Sequence, residues 1–382
     1  MPPSSQERAR VVIAGAGVAG LETALALQAF APERTAVELI DPRERFRLAA
    51  TATGRSFGIG SGVDAQLSTL AARTGAGLRP GRLAAVDPAR HVAMLAGGEL
   101  VTYDFLVVAV GARAEAELGE ALTFTGHAES AEVRALVDQM AATAPRGGRT
   151  DLALVVPAGC GWPLPAYELA LLTRAGLADR GHPDPGRVTI VTAEEAPLAL
   201  FGPEASAQVG RSLREAGVEV RPGSVVRDWR WGRLELAGAD PLPADRVIAL
   251  PALRGPALEG LPSDARGFVR SAPDGTVADV PDVWAVGDAG SFPVKQGGIA
   301  CQQADAAAAA IARRLGADVG PMPFEPVLRG WMWDGAGGLF LRADLRDGHD
   351  ESTGAADARP LWWPVAKVAG RFLAPLLHGG PE

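Results

Sequence analysis

The sequence has few cysteines, few lysines and no long uncharged apolar run. Only Cys160 and Cys301 occur among its 382 residues, which excludes a framework of disulfide bonds and makes a reducing cytoplasm the expected compartment. No apolar stretch reaches the roughly 18 residues that a transmembrane helix needs. Residues 1–10 are polar, so no secretory signal peptide is expected.

The chain also lacks basic runs and has a net charge of −8, so we expect no nucleic-acid partner. Its five histidines form no metal-like cluster, and no metal site is expected. Only Lys295 and Lys367 are lysines among the 37 basic residues. Because lysine provides a compact, titratable charge that arginine does not, we expect these two residues to have functional roles.

A dinucleotide-binding turn follows the first apolar run of the sequence. A strand predicted at residues 11–13 leads into Gly15-x-Gly17-x-x-Gly20, and a helix and a second strand ending in Asp41 follow. The first glycine permits the tight turn, the second lets the backbone approach a pyrophosphate, and the third lets the helix pack closely on the sheet. The helix N-terminus attracts the phosphates. Asp41 follows Gly20 by about 20 residues, the spacing of the acid that binds the ribose hydroxyls.

Two later segments carry further glycine motifs. Residues 103–112 (YDFLVVAVGA) form a predicted buried strand ending at Gly111, and residues 281–290 (PDVWAVGDAG) form another ending at Gly287-Asp288. With the first turn, these motifs resemble the FAD-dependent pyridine nucleotide–disulfide oxidoreductase superfamily over nearly the whole chain. The resemblance implies that FAD is bound by Gly15, Gly17, Val18, Ala19, Gly20, Asp41, Pro42, Arg43, Gly111, Gly287, Asp288, Gly298 and Ile299.

The same resemblance implies an α/β fold with two Rossmann-like domains, as in glutathione reductase, plus a short C-terminal region. Residues 1–118 and 252–318 would form a discontinuous FAD-binding domain, residues 119–251 an inserted second Rossmann-like domain, and residues 319–382 the C-terminal region. The predicted elements of the insert are strands at 152–156 and 187–192 and helices at 165–175 and 203–216.

The binding turn of the inserted domain departs from the first turn. Gly161, Pro163 and Ala166 align with the three glycines of the first turn. A proline at the middle position removes an N–H donor and places a ring where backbone should touch phosphate. Trp162 fills more of the crevice, and the following strand ends in Thr192 rather than in an acid. We therefore predict a degenerate NAD(P)H site whose domain packs against the flavin as a wall.

A narrower resemblance is to the sulfide:quinone oxidoreductases and flavocytochrome c sulfide dehydrogenases. Their second turn is also rich in proline and leads into a Tyr-Glu pair like Tyr167-Glu168. In those families a redox cysteine lies where this chain has Trp162, and Cys160 stands two residues earlier. Their other redox cysteine lies in a C-terminal segment, and residues 321–382 contain none. The chain therefore resembles these families without their redox cysteine pair.

Four residues are the predicted catalytic candidates. Lys295 precedes a helix that the resemblance directs at the pyrimidine edge of the flavin, where positive charge stabilises the reduced state. Cys301 lies in the first turn of that helix, where an exposed thiol has a lowered pKa, or it is a packing residue. Cys160 approaches the flavin from the second turn, or it is a small buried hydrophobe. Lys367 is expected to face the flavin cavity.

The C-terminal region carries two further features. Residues 361–377 are predicted to form an amphipathic helix beginning near Pro364, with Lys367 and Arg371 on one side. This helix either contacts a membrane surface peripherally or closes the hydrophobic core. Residues 331–333 (WMW) resemble the Trp-x-Trp of flavin-dependent halogenases, but the Ile-Pro that completes that motif is missing, so core or rim aromatics are expected.

The predicted function is that of an FAD-dependent oxidoreductase in the cytoplasm or at the inner face of the membrane. It would move electrons from a small-molecule donor through FAD to a quinone or another acceptor. The sequence does not decide between a monomer and a homodimer. One alternative is an NAD(P)H:quinone-type dehydrogenase with a remodelled nicotinamide loop. The other, from a different class, is a non-catalytic flavoprotein that serves as a redox sensor or partner-binding module.

Overall fold

The computed structural model describes residues 8–60, 62–144, 147–182, 186–345 and 354–378. The helices in this part of the chain are α1 (Val18–Phe30), α2 (Ala52–Ser56), α3 (Leu67–Arg73), α4 (Ser130–Thr143), α5 (Leu164–Asp179), α6 (Pro203–Glu215), α7 (Gly297–Arg314) and α8 (Leu373–His378).

The strands are β1 (Ala9–Ala14), β2 (Thr35–Asp41), β3 (Arg45–Arg47), β4 (Asp64–Gln66), β5 (Gly77–Pro80), β6 (Leu83–Asp87), β7 (Val92–Leu95), β8 (Leu100–Thr102), β9 (Phe105–Val108), β10 (Arg113–Glu115), β11 (Leu122–Thr123), β12 (Leu152–Val156), β13 (Val188–Thr192), β14 (Val218–Arg221), β15 (Val226–Arg230), β16 (Arg233–Leu236), β17 (Leu242–Pro243), β18 (Arg246–Ala249), β19 (Ala252–Arg254), β20 (Val283–Ala285), β21 (Val327–Met332), β22 (Leu339–Asp344) and β23 (Gly354–Asp357).

The first sheet has the order β20-β9-β1-β2-β5, and all its pairs are parallel. Val11 and Ile13 of the central strand pack with α1 and α7 on one face. Val12 and Ala14 pack on the other face with residues of the small antiparallel sheet β6-β7-β8. A parallel strand that is covered on both faces has a continuous apolar sequence, which is why β1 carries no polar side chain after Arg10.

The second sheet has the order β11-β18-β12-β13-β14 and is also parallel. The predicted strands at 152–156 and 187–192 and the predicted helices at 165–175 and 203–216 are confirmed to within a few residues. The short antiparallel pair β10-β19 joins the two chain segments that run between the sheets. The predicted α/β architecture with two nucleotide-binding-type sheets is therefore the one observed.

The C-terminal region forms an antiparallel sheet, β21-β22-β23, that packs against the second sheet's helices α5 and α6. Leu328, Met332 and Leu341 of this small sheet belong to the same hydrophobic core as the side chains of β12 and α5. Strand β21 consequently ends close to the N-terminal half of α5, where the functional residues described below lie.

The predicted amphipathic helix over residues 361–377 is wrong. Within this stretch only the residues of α8, which begins at Leu373, are helical, and residues 361–372 are irregular. Lys367 and Arg371 do not share a solvent-exposed face, because Lys367 is buried against the second domain. The contacts of individual side chains thus override the helical periodicity. No helix in the described ranges is long and apolar enough to cross a membrane.

Candidate active site

The β1–α1 turn has the geometry that its glycine spacing predicts. Gly15 has a φ of +103°, a region that favours glycine, and its N–H donates to the carbonyl oxygen of Ile40 at 2.7 Å. A Cβ added to Gly20 would lie 1.8 Å from the carbonyl oxygen of Gly15, so the third glycine is needed for helix–turn packing. A Cβ added to Gly17 would meet nothing within 4 Å, because that residue faces an open cavity.

Asp41 stabilises the turn from the end of β2. Its carboxylate accepts from the Ala16 N–H at 2.8 Å and from the Arg43 guanidinium at 2.8–2.9 Å. Burial opposes ionisation, but these bonds outweigh it and hold the pKa of Asp41 below its usual range. The carboxylate is therefore engaged within the protein, and Arg43 extends from it to the cavity wall.

A cavity of about 550 Å³ lies between the carboxyl ends of the two sheets and is closed by the C-terminal segment. This volume falls within the range of small-molecule and cofactor sites. The predicted site residues that line it are Gly17, Val18, Ala19, Arg43, Gly111, Gly287, Asp288, Lys295, Cys160 and Lys367. The predicted site residues that lie outside its lining are Gly15, Gly20, Asp41, Pro42, Gly298, Ile299 and Cys301.

The cavity fits FAD on three observations. Gly17 and Gly111 present backbone with open space where a side chain would project, as close contact with a pyrophosphate requires. Within the described part of the chain, no protein hydrogen bond reaches the Asp288 carboxylate, which faces the cavity. Burial raises the pKa of Asp288, and the hydroxyls of a ribityl chain would satisfy this acceptor. Gly297, at the start of α7, completes the same wall.

Lys295 lies beside Asp288 at the cavity wall. Its Nζ donates to the Gly290 carbonyl and lies 3.4 Å from the Asp288 carbonyl and 4.0 Å from the centre of the Phe268 ring. Burial lowers the pKa of Lys295 to about 8, against the opposing effect of Asp288. Lys295 is therefore a cation at neutral pH that loses its proton close to the physiological range.

Lys367 and Glu168 form a buried ion pair in the opposite wall, with side chains 6% and 2% exposed. The Thr53 hydroxyl donates to the second Glu168 oxygen at 2.8 Å. Burial lowers the pKa of Lys367, and Glu168 opposes that shift. The pair brings together α5, α2 and the C-terminal segment, and it places an exchangeable proton at the cavity wall.

The two cysteines lie in different environments. Cys160 lines the cavity, and burial raises its pKa to about 11, so it is a neutral thiol at physiological pH. Cys301 is buried in α7 beside Gly370 and Glu22. Burial raises the pKa of Cys301, with Glu22 adding to the effect, so the lowered pKa expected for an exposed thiol does not occur.

The turn after β12 contacts the segment before α7 and also lines the cavity. The Lys295 N–H donates to the Gly161 carbonyl at 3.0 Å, and a Cβ on Gly161 would lie 2.6 Å from the Lys295 side chain. Trp162 lines the cavity and packs against Phe201 at 5.9 Å between ring centres. Pro163 is the residue from which α5 begins.

A carboxylate does follow β13, but it is already bonded. Glu194 accepts from the Tyr167 hydroxyl at 2.7 Å and from the Thr192 hydroxyl at 3.0 Å. Burial raises the pKa of Glu194, and these bonds oppose the rise. The Tyr167 and Thr192 hydroxyls therefore both bind the same oxygen of Glu194, Oε2.

Two site residues were missed by sequence reasoning. Thr53 belongs to no motif, and its bond to Glu168 spans 115 residues, so no local signal identifies it. Gln296 caps α7 by accepting from the Ile299 N–H at 2.8 Å, and it also binds the Arg329 carbonyl. Glutamine is not one of the preferred N-cap residues, so its position before the helix gave no clear capping signal. No cluster of three or more potential metal ligands occurs in the described segments.

Solved structures share this fold at low sequence identity. The sulfide:quinone oxidoreductase of Aquifex aeolicus matches with a TM-score of 0.81 at 19% identity, over 92% of this chain and 87% of that chain. A ferredoxin reductase from Rhodopseudomonas palustris matches with a TM-score of 0.66 at 20% identity, over 88% and 82%. Putidaredoxin reductase, in its covalent complex with putidaredoxin, matches with a TM-score of 0.66 at 19% identity, over 89% of this chain and 82% of that chain.

No curated protein sequence matches the chain significantly. The family model of the pyridine nucleotide-disulphide oxidoreductases matches residues 9–310, which include both sheets and most of the cavity wall. The chain therefore belongs to the pyridine nucleotide-disulphide oxidoreductase family, and it is an oxidoreductase whose cofactor is FAD.

Proposed function

We propose that this protein passes electrons from a small-molecule donor other than NAD(P)H through FAD to a quinone or another acceptor. The observation that carries the proposal is the second turn. Its backbone is packed against the 293–295 segment, its middle glycine is replaced by Pro163, and the acid after β13 is bonded to Tyr167. These contacts support a second turn that does not bind a pyrophosphate.

The likeness to sulfide:quinone oxidoreductase supports the class of donor and acceptor. That enzyme's name joins a small inorganic donor to a quinone, and its fold covers most of this chain. Residue 162 of this chain is a tryptophan rather than a cysteine, so a relay between two cavity cysteines is not part of the proposal. Cys160 is the cavity thiol available to a sulfur donor.

Bound FAD supplies reversible two-electron transfer, and the chain's own residues supply charge and protons. Lys295 holds positive charge beside Asp288, where it favours the reduced and more negative state of the cofactor. Lys367 holds a proton at Nζ in the wall facing the cavity, and Glu168 stabilises that charged form. An acceptor that gains electrons in the cavity also needs protons, which this pair is placed to deliver.

The proposed location is the cytoplasmic face of a membrane, with peripheral contact through residues 361–377. Trp363 in this segment is 88% exposed, and an exposed tryptophan is typical of residues that insert at the membrane–water interface. Replacing Trp363 with serine should reduce the fraction of protein that cosediments with lipid vesicles. An unchanged fraction would remove this segment from membrane contact.

An anaerobic donor screen tests the proposal. The FAD-loaded protein is mixed with sulfide, polysulfide, small thiols, NADH or NADPH, and the visible absorbance band of oxidised flavin is followed. We expect a sulfur donor to bleach the band and the nicotinamides to leave it unchanged. Reduction by nicotinamides would instead support the NAD(P)H:quinone-type dehydrogenase, and reduction by dithionite alone would support a non-catalytic flavoprotein.

A further inference from the structure

The end of strand β21 contacts both members of the Lys367–Glu168 pair. The Trp331 carbonyl accepts from Lys367 Nζ, and the Trp333 N–H donates to Glu168 Oε1 at 2.8 Å. Lys367 Nζ also lies 3.7 Å from the centre of the Trp333 ring. The Trp-Met-Trp sequence thus binds the cation by a carbonyl and a ring face, and the anion by a backbone N–H.

The Trp333 ring lies behind the pair rather than in the cavity lining. Trp333 is 8% exposed and is not among the residues that line the cavity. A ring face at this distance from an ammonium favours the charged form of the lysine. Among the described residues, Glu168 is the charged side chain that acts on Lys367. The ring and Glu168 together therefore oppose the desolvation that disfavours the ammonium.

A glycine in α2 makes room for the Trp333 ring. A Cβ added to Gly54 would lie 2.2 Å from the ring, a distance that real Cβ atoms do not adopt. Gly54 follows Thr53, which binds the other side of Glu168. The ring is therefore held in one orientation by the helix that also holds the carboxylate.

We propose that Trp333 is a positioning residue that holds the Lys367–Glu168 pair charged and oriented toward an acceptor reduced in the cavity. The inference rests on the proposed function for the identity of that acceptor step. Trp331 contributes its carbonyl and lines the cavity; its ring stacks on Phe340 at 5.1 Å between centres, and its centre lies 5.9 Å from Lys367 Nζ, farther than that of Trp333.

The first test measures the titration of Lys367 directly in the FAD-loaded protein. A limiting amount of a small amine-reactive anhydride is added across a pH series, and the labelled peptides are quantified by mass spectrometry. Because Lys295 and Lys367 are the only lysines, Lys295 serves as an internal reference in every sample. The variants are Trp333→Leu, which removes the ring, Trp333→Phe, which keeps one, and Gly54→Ala, which displaces it.

We expect the pKa of Lys367 to fall by about one unit in Trp333→Leu, since a buried cation–ring contact has about that effect. Trp333→Phe should stay near the wild-type value, and Gly54→Ala should shift in the same direction as Trp333→Leu. An unchanged or raised pKa in Trp333→Leu would overturn the proposal, because the ring would then only exclude water. Gly54→Ala keeps the test decisive if Trp333→Leu does not fold.

The second test links the pair to the acceptor step. The flavin is reduced with dithionite, and its reoxidation by a short-chain quinone is measured against pH. We expect the midpoint of the pH profile to move with the labelling pKa across the same variants. A profile that stays fixed while the labelling pKa moves would refute the role of Trp333 in that step. The donor screen is independent of this result, because dithionite replaces the physiological donor.

Discussion

Replacing Lys367 with methionine should destabilise the protein by an amount typical of a broken buried ion pair. Met fills most of the lysine volume but leaves Glu168 without its counter-charge, in a position where the carboxylate side chain is 2% exposed. Removing one partner of a buried pair costs about 3–5 kcal/mol. Thr53 and the Trp333 N–H still bind Glu168 and offset part of the lost counter-charge. We therefore expect the lower end, about 3 kcal/mol.

The assay is a double-mutant cycle with Lys367→Met, Glu168→Gln and both together, by urea unfolding of the FAD-loaded protein at neutral pH. The double variant should be more stable than the sum of the single losses predicts, because neither charge is left unpaired. Arg254→Gln is the matched control, since its partner Glu115 is half exposed and the pair is at the surface. A cost for Lys367→Met below about 1 kcal/mol, or strictly additive losses, would refute a buried, coupled pair.

Three further outcomes are expected. Lys295 has a folded-state pKa of about 8, below that of the unfolded chain, so the unfolded state binds more protons above pH 8. The stability of the wild type relative to Lys295→Met should therefore rise by up to about 3 kcal/mol between pH 8 and pH 10. Burial, with Glu22 adding to it, raises the pKa of Asp305 to about 8, so the folded state binds more protons and stability should fall as pH rises from about 4 to about 8. In thermal unfolding, Asp305→Asn should be more stable than the wild type at pH 8 but not at pH 4. Gly17→Val should keep the unfolding midpoint of the cofactor-free protein yet lower its bound FAD, measured by absorbance after gel filtration, whereas Gly20→Val should lower the midpoint itself. Equal midpoints and equal FAD contents for the two glycine variants would contradict the geometry of the turn.

The first nucleotide turn was predictable because its physics is local. Gly15, Gly17 and Gly20 each meet a constraint that lies within a few residues or in the adjacent strand, so their spacing carries the information. The buried strands β12 and β13 were equally clear, because a parallel strand covered on both faces has an uninterrupted apolar sequence. Pro163, at the position of the middle glycine in the second turn, could be recognised from the sequence because the physics of this turn is also local.

Lys367 was expected at the cavity and lines it, but its pairing with Glu168 was not predictable, because the contacts of that pair join distant parts of the chain. Glu168 binds Thr53, Trp333 and Lys367 across 115, 165 and 199 residues. The same distant contacts explain the wrong helix at 361–377, since burial of Lys367 overrides a local periodicity. For Cys301 the sequence left two alternatives, and burial in α7 favours the packing residue over the exposed thiol with a lowered pKa.

We propose that the second domain of this FAD-dependent oxidoreductase does not accept NAD(P)H as the electron donor. The direct measurement is the rate of flavin bleaching when the anaerobic, FAD-loaded protein is mixed rapidly with millimolar NADH or NADPH, beside the same mixing with sulfide or polysulfide. We expect no bleaching by either nicotinamide and bleaching by a sulfur donor. Rapid, complete bleaching by NADH or NADPH would contradict it.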